Sequence, residues 1–177
     1  MGSIIEVESI RVPIGTHESK TIVIGSDHRG FRYKGLIIEE LKLRSYTLID
    51  VGTGSAQRCD YPPISDEIGR KLSENPNNQV GIGICGSGIG ILISASKHNG
   101  VYVARCLTPQ EAETSRKHNN TNMLGIGADY MSPEVALQTI NAWLTTPFYS
   151  NPKNEAEYLK RFVQIVRLER LALERGD

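Results

Sequence analysis

The chain has 177 residues, enough for one α/β domain with a full core and too few for two of ordinary size. Its 20 basic and 20 acidic residues cancel, which argues against nucleic acid or an anionic membrane surface as a partner. Three widely spaced cysteines, Cys59, Cys85 and Cys106, form no CxxC pair and fit a reducing, cytoplasmic setting, and no apolar run approaches the roughly 18 residues of a membrane helix.

Residues 1–20 hold a few β-branched residues without a clear period and are broken by Pro13 and Gly15. They are expected to form an extension outside the core, with the domain proper spanning 21–177. From Thr21 the pattern changes. Short apolar runs at 21–26, 47–51, 80–85, 101–105 and 123–126 have strand length, and each leads into a helical pattern or a turn before one. Strands alternating with helices in this way predict a single α/β domain, a Rossmann-like parallel sheet of five strands covered on both faces.

Helix starts are well marked. Thr108-Pro109-Gln110-Glu111 sets a capping hydroxyl before a proline at the first helical position, with Glu111 placed to reach back as a capping box. Ser132-Pro133-Glu134 repeats the cap and the proline. The last helix, expected over 154–175, carries Leu159, Phe162, Ile165, Val166 and Leu171 at helical spacing, widened by Leu168 and Leu173. That stripe is wide enough to cover a partner subunit as well as its own core.

Ligands of such sheets bind outside the carboxyl ends of the strands. Three junctions there are chemically loaded: Ser26-Asp27-His28-Arg29-Gly30, Cys85 to Gly90, and Arg105-Cys106-Leu107-Thr108. Cys85 ends an apolar strand and faces a glycine-punctuated helix start, where the dipole and free backbone N–H groups favour a thiolate. Gly86, Gly88 and Gly90 would let a ligand oxygen approach those amides. The plainer reading of Cys85 is a small buried hydrophobe. Asp27-His28 reads equally as a capping acid beside a solvated imidazole or as a proton-transfer pair. His118-Asn119 reads on its own as a helix C-terminal cap.

Other motifs are set aside. Gly81, Gly83 and Gly86 satisfy GxGxxG, but two of them lie inside the strand, and Arg105 and Cys106 stand where a dinucleotide site needs an acid. No P-loop occurs, and Ile91, six residues after Cys85, removes the arginine of a cysteine-dependent phosphatase. The four histidines show no metal-ligand spacing, so no metal or other cofactor is expected.

Together, Gly25-Ser26-Asp27-His28-Arg29-Gly30-Phe31, Asp50-Val51-Gly52-Thr53, Asp60-Tyr61-Pro62, Ile84-Cys85-Gly86-Ser87-Gly88-Ile89-Gly90-Ile91 and His118-Asn119-Asn120-Thr121-Asn122 resemble, in order and spacing, the type B ribose-5-phosphate isomerases. Their galactose-6-phosphate and allose-6-phosphate isomerase relatives share the pattern, and the match covers about residues 21–170. The resemblance implies an αβα sandwich and a metal-free aldose–ketose isomerase, a homodimer whose sites are shared between subunits. Cys85 would then move a proton between C1 and C2 of the open sugar, through a cis-enediol(ate). Ser87, where the family usually has threonine, would shuttle protons between the substrate oxygens. Amides around Gly86, Gly88 and Gly90 would hold the oxyanion. Asp27 and His118 resemble the ring-opening pair, Asn119 and Tyr61 sugar contacts, and His28 a phosphate contact. Some relatives use a glutamate base where this chain has Ile91. Two family arginines for phosphate read here as Asp129 and Glu157, leaving Arg161; Arg29, Lys153 and Lys160 are the cations available to compensate.

Overall fold

The structure, a computed structural model, describes residues 3–176. Five parallel strands, β3 (Thr21–Ser26), β4 (Leu48–Asp50), β5 (Gln79–Cys85), β6 (Val103–Arg105) and β7 (Met123–Gly127), lie in the order β4-β3-β5-β7-β6. They match the five apolar runs, with β4 and β6, the two edges, shorter than expected. At β6 the ladder starts late because the Tyr102 N–H donates to Asn122 Oδ1 and its carbonyl accepts from the N–H groups of Asn122 and Met123.

Strand alternation sends side chains to two cores. Ile22, Ile24, Val80, Ile82, Ile84, Leu124 and Ile126 pack under α1 (Phe31–Leu43), α4 (Pro109–Asn119) and α5 (Pro133–Thr145). Val23, Met123 and Cys85 face α2 (Pro62–Glu74) and α3 (Gly90–Ala95). Gly81 and Gly83 belong to this second face. A Cβ on Gly81 would stand 2.9 Å from Ile68, and one on Gly83 would stand 2.9 Å from Met123 and 3.1 Å from Ile91. The GxG of β5 therefore lets α2 and α3 approach the sheet closely.

Residues 4–13 form an antiparallel hairpin, β1 (Ile4–Val7) and β2 (Ile10–Pro13), in place of the aperiodic segment expected there. It adds no strand to the main sheet. Ile10 and Val12 instead build a third cluster with Phe148 and with Leu159, Phe162 and Val163 of α6 (Pro152–Arg175). Beyond these contacts Ile165, Leu168, Leu171 and Leu173 leave an exposed apolar stripe along α6. Among the described residues no helix is long and apolar enough to cross a membrane.

Candidate active site

The carboxyl ends of β3 and β5 adjoin, with Ser26 opposite Ile84, and Cys85 in turn pairs with Gly127 of β7. Cys85 is 4 % exposed, and its Sγ accepts the Gly88 N–H at 3.1 Å, a contact that a thiolate takes more strongly than a thiol. The expected helix mouth is in fact a turn over 86–89, and α3 has only six residues, so this direct N–H replaces most of the dipole argument. Gly88 has φ +73°, and a Cβ there would lie 2.9 Å from the backbone of Ile126 and Gly127. Ser87 Oγ accepts from the Ile89 N–H, and the Ser87 carbonyl accepts from Arg105 Nε at 2.7 Å. Arg105 also stacks over Tyr130, with its guanidinium carbon 5.0 Å from the ring centre, and so braces the loop. The Tyr61 ring closes the other side: a Cβ on Gly90 would meet it at 2.6 Å.

The bland cysteine is Cys106, whose thiol is pushed up to about 11 by burial. Cys59 presents its backbone to His28, with Nδ1 3.1 Å from the Cys59 carbonyl oxygen and 3.3 Å from its N–H nitrogen.

Several expectations need correction. Asp27 and His28 are not a pair: Asp27 Oδ1 accepts from the N–H groups of Arg29 and Gly30, capping the turn into α1, while the His28 ring turns toward Cys59. Arg29 is not a free cation. It grips Asp129 with two hydrogen bonds, Nε to Oδ2 at 3.0 Å and Nη2 to Oδ1 at 2.7 Å, which raises its pKa further. Asp129 is correspondingly neutralised and does not confront a phosphate alone. The pair sits against Gly86, whose Cβ would be 2.7 Å from Asp129 Oδ2. The sequence marks Arg105 only as part of a polar junction and Asp129 only as the replacement of a phosphate arginine; that they brace the loop and bind Arg29 is visible only in the fold. The partner of Arg29 lies 100 positions away, where no spacing rule reaches.

Asp27 and His118 do not meet within one chain. His118 is in the last turn of α4, ahead of the left-handed Asn120 that leads to the amino end of β7. Met123 pairs with Gly81, four residues before Cys85, which is roughly 13 Å along the strands. At that opposite edge His118 stacks on Tyr158, ring centres 4.0 Å apart, and Arg161 lies over the same tyrosine at 6.0 Å. Asn119, next to His118 in sequence, is exposed, and Glu157 faces Lys160 at 4.0 Å. The chain thus gathers Cys85, Ser87, Asp27, His28, Arg29, Tyr61 and the three glycines at one edge, and His118, Asn119 and Arg161 at the other.

A family model described as Ribose/Galactose Isomerase matches residues 22–160. Ribose-5-phosphate isomerase B of Escherichia coli (strain K12) is 38% identical over 125 residues, 71% of this chain and 83% of that protein. D-erythrulose-4-phosphate isomerase of Pectobacterium atrosepticum is 32% identical over 129 residues, 72% of this chain and 84% of that one. Among solved structures, ribose-5-phosphate isomerase B from Mycoplasma genitalium with bound ribulose-5-phosphate aligns with TM-score 0.80 at 28% identity, covering 87% of this chain and 99% of that one. With a loop of this build and a match across most of its length, the chain belongs to the ribose/galactose isomerase family.

Proposed function

We propose that the protein interconverts ribose 5-phosphate and ribulose 5-phosphate through a cis-enediol(ate), without a cofactor. The observation that carries this is Cys85 Sγ, seated at the end of β5 with the Gly88 N–H donating to it, beside a hydroxyl on Ser87. The reaction moves one proton between C1 and C2 and another between O2 and O1, so it needs a base, a hydroxyl shuttle and oxyanion donors and no redox partner. Cys85 as thiolate takes the C2 proton of the open aldose and returns it to C1. The negative charge that develops on the oxygen faces the amides of 86–90, and Ser87 exchanges protons with O1 and O2.

The functional unit is a homodimer, with His118, Asn119 and Arg161 of one copy completing the edge that holds Cys85 and Asp27 of the other. Supporting this are the separation of those residues within one chain and the apolar stripe of α6. The three free thiols fit a reducing, cytoplasmic setting. A second reading keeps the chemistry and changes the sugar to another phosphorylated or less phosphorylated one. The ion pair that stands where a phosphate arginine is expected favours it.

Steady-state turnover in EDTA tests both, with ribose 5-phosphate, allose 6-phosphate and unphosphorylated ribose compared and Cys85→Ala as control. Preference for ribose 5-phosphate, abolished in Cys85→Ala, is expected. Preference for another sugar selects the second reading, and full activity of Cys85→Ala would show that another group is the base.

A further inference from the structure

At the amino edge of the sheet, away from the catalytic loop, a cavity of about 210 Å³ opens between the hairpin, α6 and the turn after α4. Its walls include Arg11, His17, Lys20, Asn120 and Asn122, and no carboxylate. Lys20 is 8 % exposed, and no carboxylate pairs with it among the described residues. Directly behind lies Arg116, 1 % exposed, whose guanidinium donates only to Asn120 Oδ1 and to the carbonyls of Gly15, Thr121 and Thr146. Glu169 is committed to the Gly100 N–H and the Tyr102 O–H, and Glu6, the exposed cross-strand neighbour of Arg11 in the hairpin, does not line the cavity. Lys20 is therefore buried in a cavity wall with no carboxylate bonded to it, an arrangement that costs stability unless an anion joins it.

His17 gives the second, independent mark. It is 2 % exposed, packed edge-on against Trp143, and its Nε2 donates to the Thr121 carbonyl at 3.0 Å. Its Nδ1 is buried with no partner, and with Nε2 carrying the proton that nitrogen is an acceptor. Burial, with Arg116 and Lys20 close by, holds the ring's pKa well below the usual histidine value and keeps it neutral. A ligand satisfying both features must bring negative oxygens to Arg11 and Lys20 and an O–H to His17.

We propose that this cavity is a second ligand site, binding a small oxyanion of the phosphate class that still carries a proton. Sulfate at neutral pH has the charge and lacks the O–H, so it should bind more weakly than phosphate.

Titration calorimetry and thermal denaturation with inorganic phosphate test the proposal on the full chain. Phosphate should raise the midpoint of the wild type and of His28→Ala, in which the catalytic-edge contact is removed. Lys20→Met should lose the rise, with phosphate affinity at least tenfold weaker. Arg11→Ala, at an exposed position where folding is not at risk, should weaken it severalfold. Loss of the effect in His28→Ala with retention in Lys20→Met would assign phosphate to the catalytic edge alone and overturn the proposal. So would the absence of any phosphate effect in the wild type, or sulfate binding as tightly as phosphate.

Discussion

If catalysis draws on both edges of the sheet, two dead variants should rescue one another. Cys85→Ala removes the proposed base from the carboxyl edge, and His118→Ala removes an imidazole that, on its own chain, lies at the opposite edge, just ahead of the start of β7, whose first residue is roughly 13 Å from the level of Cys85 along the strands. That gap cannot be closed by a side-chain rotation, since both residues are seated in regular elements of one continuous sheet and helix layer. His118→Ala should also fold: it forfeits one ring stacked on Tyr158 at 19°, worth about 0.5–1.5 kcal/mol. Each variant alone should then be inactive or nearly so. When the two are mixed and allowed to exchange subunits, about half of the dimers are hybrids, and each hybrid carries one site with both Cys85 and His118 intact. Turnover should return to about one quarter of the wild-type value. Differently tagged variants, co-purified through both tags, make the assay stringent, because isolated hybrids should reach about half of wild-type turnover. Purified hybrids no more active than their parents would refute the shared site. Full activity of His118→Ala alone would do so at once.

Two further outcomes follow from the same geometry. Gly88→Ala forces a Cβ onto φ +73° and to 2.9 Å from β7 backbone, costing about 2–5 kcal/mol from strain and overpacking; the midpoint should fall by on the order of 10 °C and turnover by about 10²-fold, whereas Gly35→Ala, with open space in α1, should gain about 0.5–1 kcal/mol, and equal midpoints for the two would contradict the packing. Lys20 is held at about 8, below its usual 10.5, by burial and then by Arg116, so between those values the unfolded chain binds the extra proton and stability should rise with pH, by on the order of 3 kcal/mol; Lys20→Met should lack this rise in urea titrations from pH 7.5 to 10.5, and parallel profiles would sink the assignment.

The sheet was legible because β3, β5 and β7 are uninterrupted apolar runs that end at polar junctions, and burial on both faces demands that pattern. The caps were legible for the same local reason: Thr108 and Ser132 accept from the N–H groups of Glu111 and Val135. Even there the detail shifted, since Glu111 reaches back to the Leu107 N–H, one residue before the expected one. The hairpin was not legible. Its strands have four residues each, and only Ile10 and Val12 are deeply buried, too short a record for a period of two to emerge. Adjacency misled at Asp27-His28, because neighbours in sequence at a strand end point in different directions, one to the cap and one to the Cys59 loop. Arg11, His17 and Lys20 carry no motif at all; they meet only when the chain folds them onto one cavity.

The charge inventory of the catalytic edge bears on what the enzyme prefers. A dianionic sugar end needs cations, and of those near Cys85 Arg29 is spent on Asp129, so the pair contributes donors but almost no net charge. Both partners are well exposed, 55% and 41%, so the attraction lost relative to a free guanidinium is set by a high dielectric. At that exposure solvent screens most of the attraction. A loss that modest raises KM only severalfold and leaves the proton transfer proposed for Cys85 untouched, because that step would depend on Sγ, the Gly88 amide and Ser87. Phosphate affinity and isomerase chemistry are therefore separable in this fold. The same loss weighs less on a sugar that carries less charge at that end, and the Arg29–Asp129 pair is where the chain would discriminate between the two.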